Sequence, residues 1–133
     1  MSCLFNSLTK LLQDEFTKFK NGTTLRDIVC DYINERPNEK LNGIEIKEWI
    51  DLVKNDEFGT NIEDYSTYMR QSSTWGGAPE ISLISKLFNV EIEVIYNNKP
   101  ISNFICCPTP KSKLRIAWTG GHYEPIERIY YSI

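Results

Sequence analysis

The apolar residues of the N-terminal part of the chain recur every three or four positions, with charged side chains between them, which predicts helices. A first helix follows Cys3 and ends at Asn21-Gly22, because such a pair favours the backbone conformation that terminates a helix. Thr24 is suited to cap a second helix, and Pro37 lies just beyond its end. The apolar faces of the two helices consist of Leu4, Leu8, Leu11, Leu12, Phe16 and Phe19, and of Leu25, Ile28, Val29, Tyr32 and Ile33.

Three further helices are predicted before residue 90. Asn61 is expected to cap the fourth helix. Pro79 is expected in the first turn of the fifth helix, where its missing N–H leaves no hydrogen bond unmade. The apolar positions of the three helices are Ile46, Trp49, Ile50 and Val53, then Ile62, Tyr65 and Met69, and finally Ile81, Leu83, Ile84, Leu87 and Phe88.

The last third of the chain changes to the two-residue period of β-strands. The segment from Val90 to Tyr96 alternates apolar and acidic side chains before it becomes apolar. The turn residues from Asn97 to Pro100 then predict a hairpin. Helices followed by a small, mostly antiparallel sheet place the chain in the α+β class. The other predicted strands are Ile101 to Cys106, Lys113 to Trp118, and a strand that begins with His122 to Ile126 after a turn at Thr119-Gly120-Gly121.

Length and charge narrow the class of protein. A chain of 133 residues predicts one domain over residues 1–133, with a core large enough to need no metal or disulfide. The net charge of −3 argues against a nucleic-acid-binding protein, which carries a basic excess. No apolar run reaches the roughly 18 residues of a membrane span, and the first residues become charged too early for a secretory signal. We expect a cytoplasmic monomer with neither nucleic-acid nor membrane partners.

The cysteines and the single histidine restrict the possible chemistry. Cys3, Cys30, Cys106 and Cys107 lack the paired spacing of a zinc site, and the chain does not resemble a disulfide scaffold. With His122 as its one histidine, the chain has no zinc site with several imidazole ligands. We expect no metal ion and no other cofactor. An imidazole base, if the protein uses one, is His122.

Three local features are candidates for a reactive site. Cys3 begins the first helix, where the amides and the helix dipole favour a thiolate and an oxyanion. His122 and Glu124 lie two positions apart in a strand, so their side chains share a face. Trp75 precedes two glycines at the start of a helix, which suits a close backbone approach. Each feature also has a structural interpretation, as a buried thiol, a structural histidine or an ordinary turn, so spacing alone makes a Cys–His enzyme a hypothesis.

Four segments, in order, resemble the motifs of the OTU (ovarian tumour) family of cysteine proteases. The first resembles the stretch that begins with the family's nucleophile, and the last resembles its closing His-Tyr-Asp motif. The second and third resemble its middle motif and the strand that follows. The segments are Cys3-Leu4-Phe5-Asn6-Ser7-Leu8, then Tyr68-Met69 with Trp75-Gly76-Gly77 and Glu80, then Val90 to Val94, and finally Gly121-His122-Tyr123-Glu124-Pro125-Ile126.

This resemblance implies a papain-like fold, with the sheet packed between helices, and an enzyme that cleaves the bond after the C-terminal glycine of ubiquitin. It implies that Cys3 is the nucleophile and His122 the general base. Glu124 falls where the family has Asp or Asn and would orient the imidazole. The implied partner is ubiquitin, or a ubiquitin-like modifier, and its conjugates. The residues expected to line the substrate cleft are Trp75, Gly76, Gly77 and Tyr123.

Two departures from the family pattern leave alternatives open. The family has an Asp-Gly pair before its nucleophile, whereas here only Met1 and Ser2 precede Cys3. This predicts either a fragment of a longer protein or an impaired enzyme. Glu124 is also one methylene longer than the family's Asp. The alternatives to a ubiquitin hydrolase are a ubiquitin-binding module without activity and a protease for another ubiquitin-like modifier.

Overall fold

The computed structural model describes residues 3–16, 24–41, 43–53, 69 and 77–131. Among these residues, every helix is too short or too polar to span a membrane. The helices are α1 (Cys3–Leu11), α2 (Gln13–Phe16), α3 (Leu25–Glu35), α4 (Ile46–Val53) and α5 (Ala78–Phe88). The strands are β1 (Lys40–Leu41), β2 (Ile44–Glu45), β3 (Val90–Tyr96), β4 (Lys99–Phe104), β5 (Ser112–Trp118) and β6 (Tyr123–Tyr130).

Capping residues set the bounds of α3 and α5. The Thr24 hydroxyl accepts a hydrogen bond of 3.1 Å from the Asp27 N–H, as expected of an N-cap. α5 begins after Gly77, whose N–H donates to the Glu80 carboxylate at 2.7 Å. It ends at Asn89, which adopts the left-handed conformation with φ of 56°. The predicted positions of these helices, and of α4, are confirmed.

The first predicted helix is interrupted at Leu12. The Leu12 N–H donates to the Leu8 carbonyl at 2.9 Å and also to the Thr9 carbonyl at 3.2 Å, a shared bond typical of a helix end. The chain then makes the short helix α2. Leu12 is fully buried. The apolar pattern predicts this burial correctly, but the buried position does not require a continuous helix. The predicted fourth helix, from Asn61, lies outside the described residues except for buried Met69.

The sequence patterns do not predict the β1–β2 hairpin. Leu41 pairs with Ile44, and Gly43 adopts a φ of 85° in the turn between them. Each of these strands has two residues, which is too short for an alternating pattern to be seen.

The strand order of the large sheet is β4-β3-β5-β6. β3 pairs antiparallel with β4, and β5 with β6, but the central pair of β3 and β5 is parallel. The predicted strands and the β3–β4 hairpin are therefore confirmed, and the sheet is mostly antiparallel. The parallel centre arises because residues 105–111 carry the chain from the β4 edge back to the start of β5.

One face of the sheet forms the core with the helices. α1 packs on β5 and β6, while α5 packs on β3 and β4. The inward side chains belong to one buried cluster and include Val90, Ile92, Val94, Leu114 and Ile116. The α+β class is confirmed, and these contacts of α1 and α5 lie on the same face.

The opposite face carries a charged network across three strands. Glu93 bonds to Lys113 at 2.9 Å and to Arg115 at 3.0 Å, and Arg115 also bonds to Glu127 at 2.6 Å. Tyr131 donates to Glu91 at 2.6 Å, which raises the pKa of the phenol to about 12. Glu91, Glu93 and Glu127 are therefore each paired with a hydrogen-bond donor or a cation on this face.

A nearly buried ion pair joins α2, which directly follows α1, to the end of β6. The guanidinium of Arg128 bonds to both carboxylate oxygens of Glu15, at 2.5 and 2.8 Å, and donates to the Leu11 carbonyl at 3.2 Å. The two side chains are 7% and 11% exposed. The hydrogen bonds from Arg128 hold the pKa of Glu15 at about 2, with Lys111 contributing. This cluster fixes where α1 lies along β6.

We predict that Glu15→Gln lowers the free energy of unfolding by about 3 kcal/mol at pH 7, since it leaves the Arg128 charge without its partner. The pKa of Glu15 is lower in the folded chain than the ordinary 4.5, so its contribution is complete above pH 4.5 and is lost as the pH falls towards 2. About 2 kcal/mol of the difference between parent and variant should therefore disappear between pH 7 and pH 3. Urea unfolding at both pH values measures it.

Glu127→Gln is the matched control, because this carboxylate also binds an arginine but is 45% exposed. An exposed pair contributes little, so this variant should stay within about 1 kcal/mol of the parent. Equal pH dependence for the parent and Glu15→Gln would contradict the prediction.

Candidate active site

The turn between β5 and β6 holds the backbone of His122. The Thr119 N–H donates to the His122 carbonyl at 2.9 Å, and the Thr119 hydroxyl donates to the same oxygen at 3.2 Å. Gly120 adopts a φ of 99°, a conformation that a residue with a Cβ rarely adopts. Trp118 and Tyr123 pair across the strands and close the turn. The Gly-Gly turn therefore places the histidine at the end of a paired strand.

The structure brings the side chains of His122 and Glu124 together. His122 Nε2 lies 3.7 Å from Glu124 Oε1, and the side chains are 53% and 62% exposed. This distance is longer than a hydrogen bond but short enough for a favourable charge interaction when the imidazole is protonated. Because Nε2 faces the carboxylate, Nδ1 is the nitrogen available to a second group. Both side chains are accessible to a substrate.

Cys3 is the first residue of α1, and its side chain lies outside the described part of the chain. Arg128 binds the last residue of α1 near the end of β6, and α1 packs along that strand. The N-terminal turn of α1 is thus directed to the end of the sheet where β6 begins, which is where His122 lies. The topology places Cys3 and His122 at the same end of the fold.

Gly77 is placed at this end as well. α5 connects to β3 through the tight turn at Asn89 and packs back along it, so the start of α5 lies towards the end of β3. β3 and β5 are parallel and end together. A Cβ at Gly77 would meet one atom within 4 Å, a Glu80 oxygen at 3.9 Å, so its own surroundings do not require glycine. Trp75 and Gly76 lie outside the described residues.

Aromatic side chains not selected from the sequence as site residues lie at this end. Tyr96 and Trp118 are the last residues of β3 and β5, with ring centroids 5.4 Å apart. Trp118 and Tyr123 pack against the core, so Tyr123, expected to line the cleft, has a partly buried position. In the sequence, Trp118 could be selected as a candidate site residue because it is an aromatic residue two positions before Gly120-Gly121.

The other cysteines are far from His122 or buried. Cys30 is fully buried in α3. Cys106 and Cys107 follow β4 at the opposite end of the sheet, since Phe104 pairs with Ile92 near the start of β3. Burial raises the pKa of the Cys107 thiol and disfavours its thiolate. Among the residues that the structure covers, there is no cluster of three or more metal-binding side chains.

Curated proteins with similar sequences are ubiquitin thioesterases. The proteins named ubiquitin thioesterase OTU1 from Mus musculus and Xenopus laevis are 35% and 32% identical to this chain over 128 residues, which is 96% of it. The protein of the same name from Danio rerio is 22% identical over 129 residues. The alignments cover 34%, 38% and 38% of these three proteins, respectively, so the chain spans little more than a third of their length.

Solved structures share the fold. An ovarian tumour (OTU) domain in complex with ubiquitin aligns with a TM-score of 0.66 at 22% identity, covering 97% of this chain and 68% of that domain. An OTU deubiquitinase from Wolbachia pipientis wMel bound to ubiquitin aligns with a TM-score of 0.61 at 18% identity, over 93% and 88% of the two chains. These similarities confirm the OTU fold. The family model described as OTU-like cysteine protease matches residues 2–123, and the chain belongs to this family.

Proposed function

We propose that the protein is a thiol-dependent hydrolase that cleaves the isopeptide bond after the C-terminal glycine of ubiquitin. The observation that carries this proposal is the convergence of the His122–Glu124 pair and the N-terminus of α1 at one end of the fold, in a member of a cysteine protease family. Support for ubiquitin as the substrate comes from relatives named ubiquitin thioesterases and from similar structures solved with ubiquitin.

In the proposed reaction His122 accepts the thiol proton of Cys3 at Nδ1, and the thiolate attacks the glycine carbonyl carbon. The tetrahedral intermediate collapses when the C–N bond breaks, and His122 returns the proton to the leaving lysine amine. A thioester between Cys3 and ubiquitin remains. Water then attacks this thioester with His122 as the base, which releases the ubiquitin carboxylate and the free thiol.

The start of α1 supplies the electrostatic part of this mechanism. The first amides of a helix have no partner within the helix, and the positive end of the dipole favours a negative charge. A thiolate at Cys3 and the developing oxyanion are both stabilised there. Leu4 and Leu8 hold the helix rigidly, because both are buried in the core.

Glu124 acts as a positioning residue for His122. Its carboxylate favours the protonated imidazole that forms beside the thiolate, and it directs Nε2 away from the substrate. The distance of 3.7 Å leaves this contact weaker than a hydrogen bond. An aspartate at position 124, as in the family pattern, has a side chain shorter by one methylene group. This changes the distance between the carboxylate and the His122 imidazole.

We propose the cytoplasm as the site of action. In the described part of the chain, Cys30, Cys106 and Cys107 form no disulfide bond, which is typical of a protein in a reducing compartment. Conjugates of ubiquitin with other proteins are the partners that follow from the proposed reaction.

We predict that Cys3→Ala abolishes both the cleavage of lysine-linked ubiquitin and labelling by ubiquitin with an electrophilic C-terminus. The loss should reach at least about a thousandfold, since the nucleophile itself is removed. Mass spectrometry of the adduct and a gel assay of chain cleavage measure the two effects. Cys106→Ala is the control with a half-buried thiol at the other end of the sheet, and it should keep both activities.

An adduct formed by Cys3→Ala would contradict the assignment of the nucleophile. A folded parent that binds ubiquitin without cleaving or labelling would favour a binding module. Labelling by the electrophilic form of another ubiquitin-like modifier, but not by ubiquitin, would instead favour that modifier as the substrate.

We predict a graded response at position 124. Glu124→Ala should slow turnover about ten- to a hundredfold, because both the orientation of the imidazole and the charge are lost. Glu124→Gln keeps the size and an acceptor oxygen and should lie between the parent and Glu124→Ala. Glu124→Asp should equal or exceed the parent. The turnover of lysine-linked ubiquitin and the rate of Cys3 labelling are measured across pH 5 to 9 for all variants.

Glu127→Gln, an exposed carboxylate on the same strand, serves as the control and should leave turnover within about twofold of the parent. Identical pH profiles for the parent and Glu124→Ala would remove Glu124 from the mechanism and leave a Cys3–His122 dyad.

A further inference from the structure

Arg26 is a nearly buried arginine that the proposed mechanism does not use. It is the second residue of α3 and is 6% exposed. Its Nη1 donates a hydrogen bond of 2.5 Å to the Met69 carbonyl and lies 3.7 Å from the Met69 sulfur. A guanidinium removed from water needs such acceptors, because an uncompensated charge inside a protein is costly. The hydrogen bond therefore defines where the planar head of Arg26 lies.

The same guanidinium covers the ring of Phe5. Its central carbon, Cζ, lies 4.3 Å from the ring centroid, which is within the range of a cation–π contact. Phe5 is 3% exposed and belongs to the core cluster. Arg26 thus joins three parts of the chain, which are α3, the backbone at Met69, and α1 through Phe5.

Phe5 lies in the turn of α1 that begins at Cys3. Cys3 and Phe5 are the first and third residues of this helix, and one helical turn contains about 3.6 residues. Side chains of a helix lean towards its N-terminus, so the Phe5 ring covers the turn that carries the proposed nucleophile. A contact made by this ring consequently acts on the backbone of Cys3.

Arg26 adds direction to the packing of α1 at its N-terminal end. Leu4 and Leu8 are buried apolar side chains, and their contacts are non-directional. The hydrogen bond from Arg128 holds Leu11, the last residue of the helix. A cation held over an aromatic face has a defined direction, and this one acts on the first turn. Nucleophilic attack is sensitive to such placement, since a displacement of about 1 Å costs on the order of a hundredfold in rate.

We propose that Arg26 is a positioning residue for Cys3, which fixes the first turn of α1 through Phe5 and so holds the nucleophile in its reactive position. This inference rests on the proposed hydrolase function and adds a residue to its mechanism. Arg26 takes no part in proton transfer or bond formation in this scheme. Its loss should therefore slow the chemical step and leave substrate binding unchanged.

The test separates kcat from KM for the cleavage of lysine-linked ubiquitin. Arg26→Met keeps a long apolar side chain in place of the arginine stem but removes the charge and the hydrogen bond to Met69. It should lower kcat about tenfold and leave KM within about twofold of the parent. Arg26→Lys keeps a cation that can donate to the same carbonyl, and it should restore kcat to within about threefold of the parent.

Phe5→Leu is an independent variant, in which a core residue stays apolar while the aromatic face is lost. It should lower kcat by about three- to tenfold. Because Arg26 is proposed to act through this ring, the double variant with Arg26→Met and Phe5→Leu should be no slower than Arg26→Met alone.

Arg36→Met is the matched control. Arg36 follows the last residue of α3, its guanidinium stacks on the Tyr32 ring at 5.0 Å, and its side chain is 57% exposed. It is a stacked arginine at the opposite end of the same helix, so kcat and KM should both stay within about twofold of the parent. The melting temperature of each variant records its effect on folding, and the kinetics are measured well below that temperature.

An Arg26→Met variant that melts earlier but keeps the parent kcat would overturn the inference and assign Arg26 to folding alone. Losses that multiply in the double variant would also overturn it, because they would exclude an action through Phe5. An unchanged kcat in Phe5→Leu would overturn it even if Arg26→Met does not fold. A parent that neither cleaves lysine-linked ubiquitin nor is labelled at Cys3 would contradict the proposed function itself, and the inference with it.

Discussion

The parallel pairing of β3 with β5 is the constraint on which the arrangement of the site depends. Parallel strands end at the same edge of a sheet, so Tyr96, Trp118 and the turn that carries His122 meet there. The tight turn at Asn89 folds α5 back along β3 and brings its start to that edge. If β3 and β5 were antiparallel, these groups would lie at opposite ends.

The site also depends on the position of α1 along β6, and the Glu15–Arg128 ion pair sets this position. An apolar helix face packs well in several positions, because hydrophobic contact is non-directional. A bidentate arginine–carboxylate pair has a defined geometry, and this one also holds the Leu11 carbonyl. Removing either charge leaves the other nearly buried and unpaired. The position of the start of α1, where the proposed nucleophile lies, is thus set by a contact at the opposite end of the helix.

Most helices and all four long strands could be predicted from the sequence, because apolar periodicity and capping residues such as Thr24 act locally. The parallel pairing of β3 with β5 could not be predicted, because the apolar pattern of Val90 to Tyr96 is compatible with either a parallel or an antiparallel neighbouring strand. The break at Leu12 was also not predicted, because a buried leucine is compatible with both a continuous and an interrupted helix. His122 and Glu124 could be paired by their two-residue spacing. Trp118 and Tyr96 meet only through the sheet register, which no local pattern contains.

The proposed nucleophile and base stand at opposite ends of the described sequence, and this has a consequence for synthesis. Cys3 is synthesised before every described helix and strand, whereas His122 follows the strand that completes the sheet centre. Contacts between such distant segments form late in folding. A nascent chain therefore carries the thiol without a base to activate it until His122 has been added. Proteolytic activity would arise only after β6, which begins directly after His122, has been synthesised.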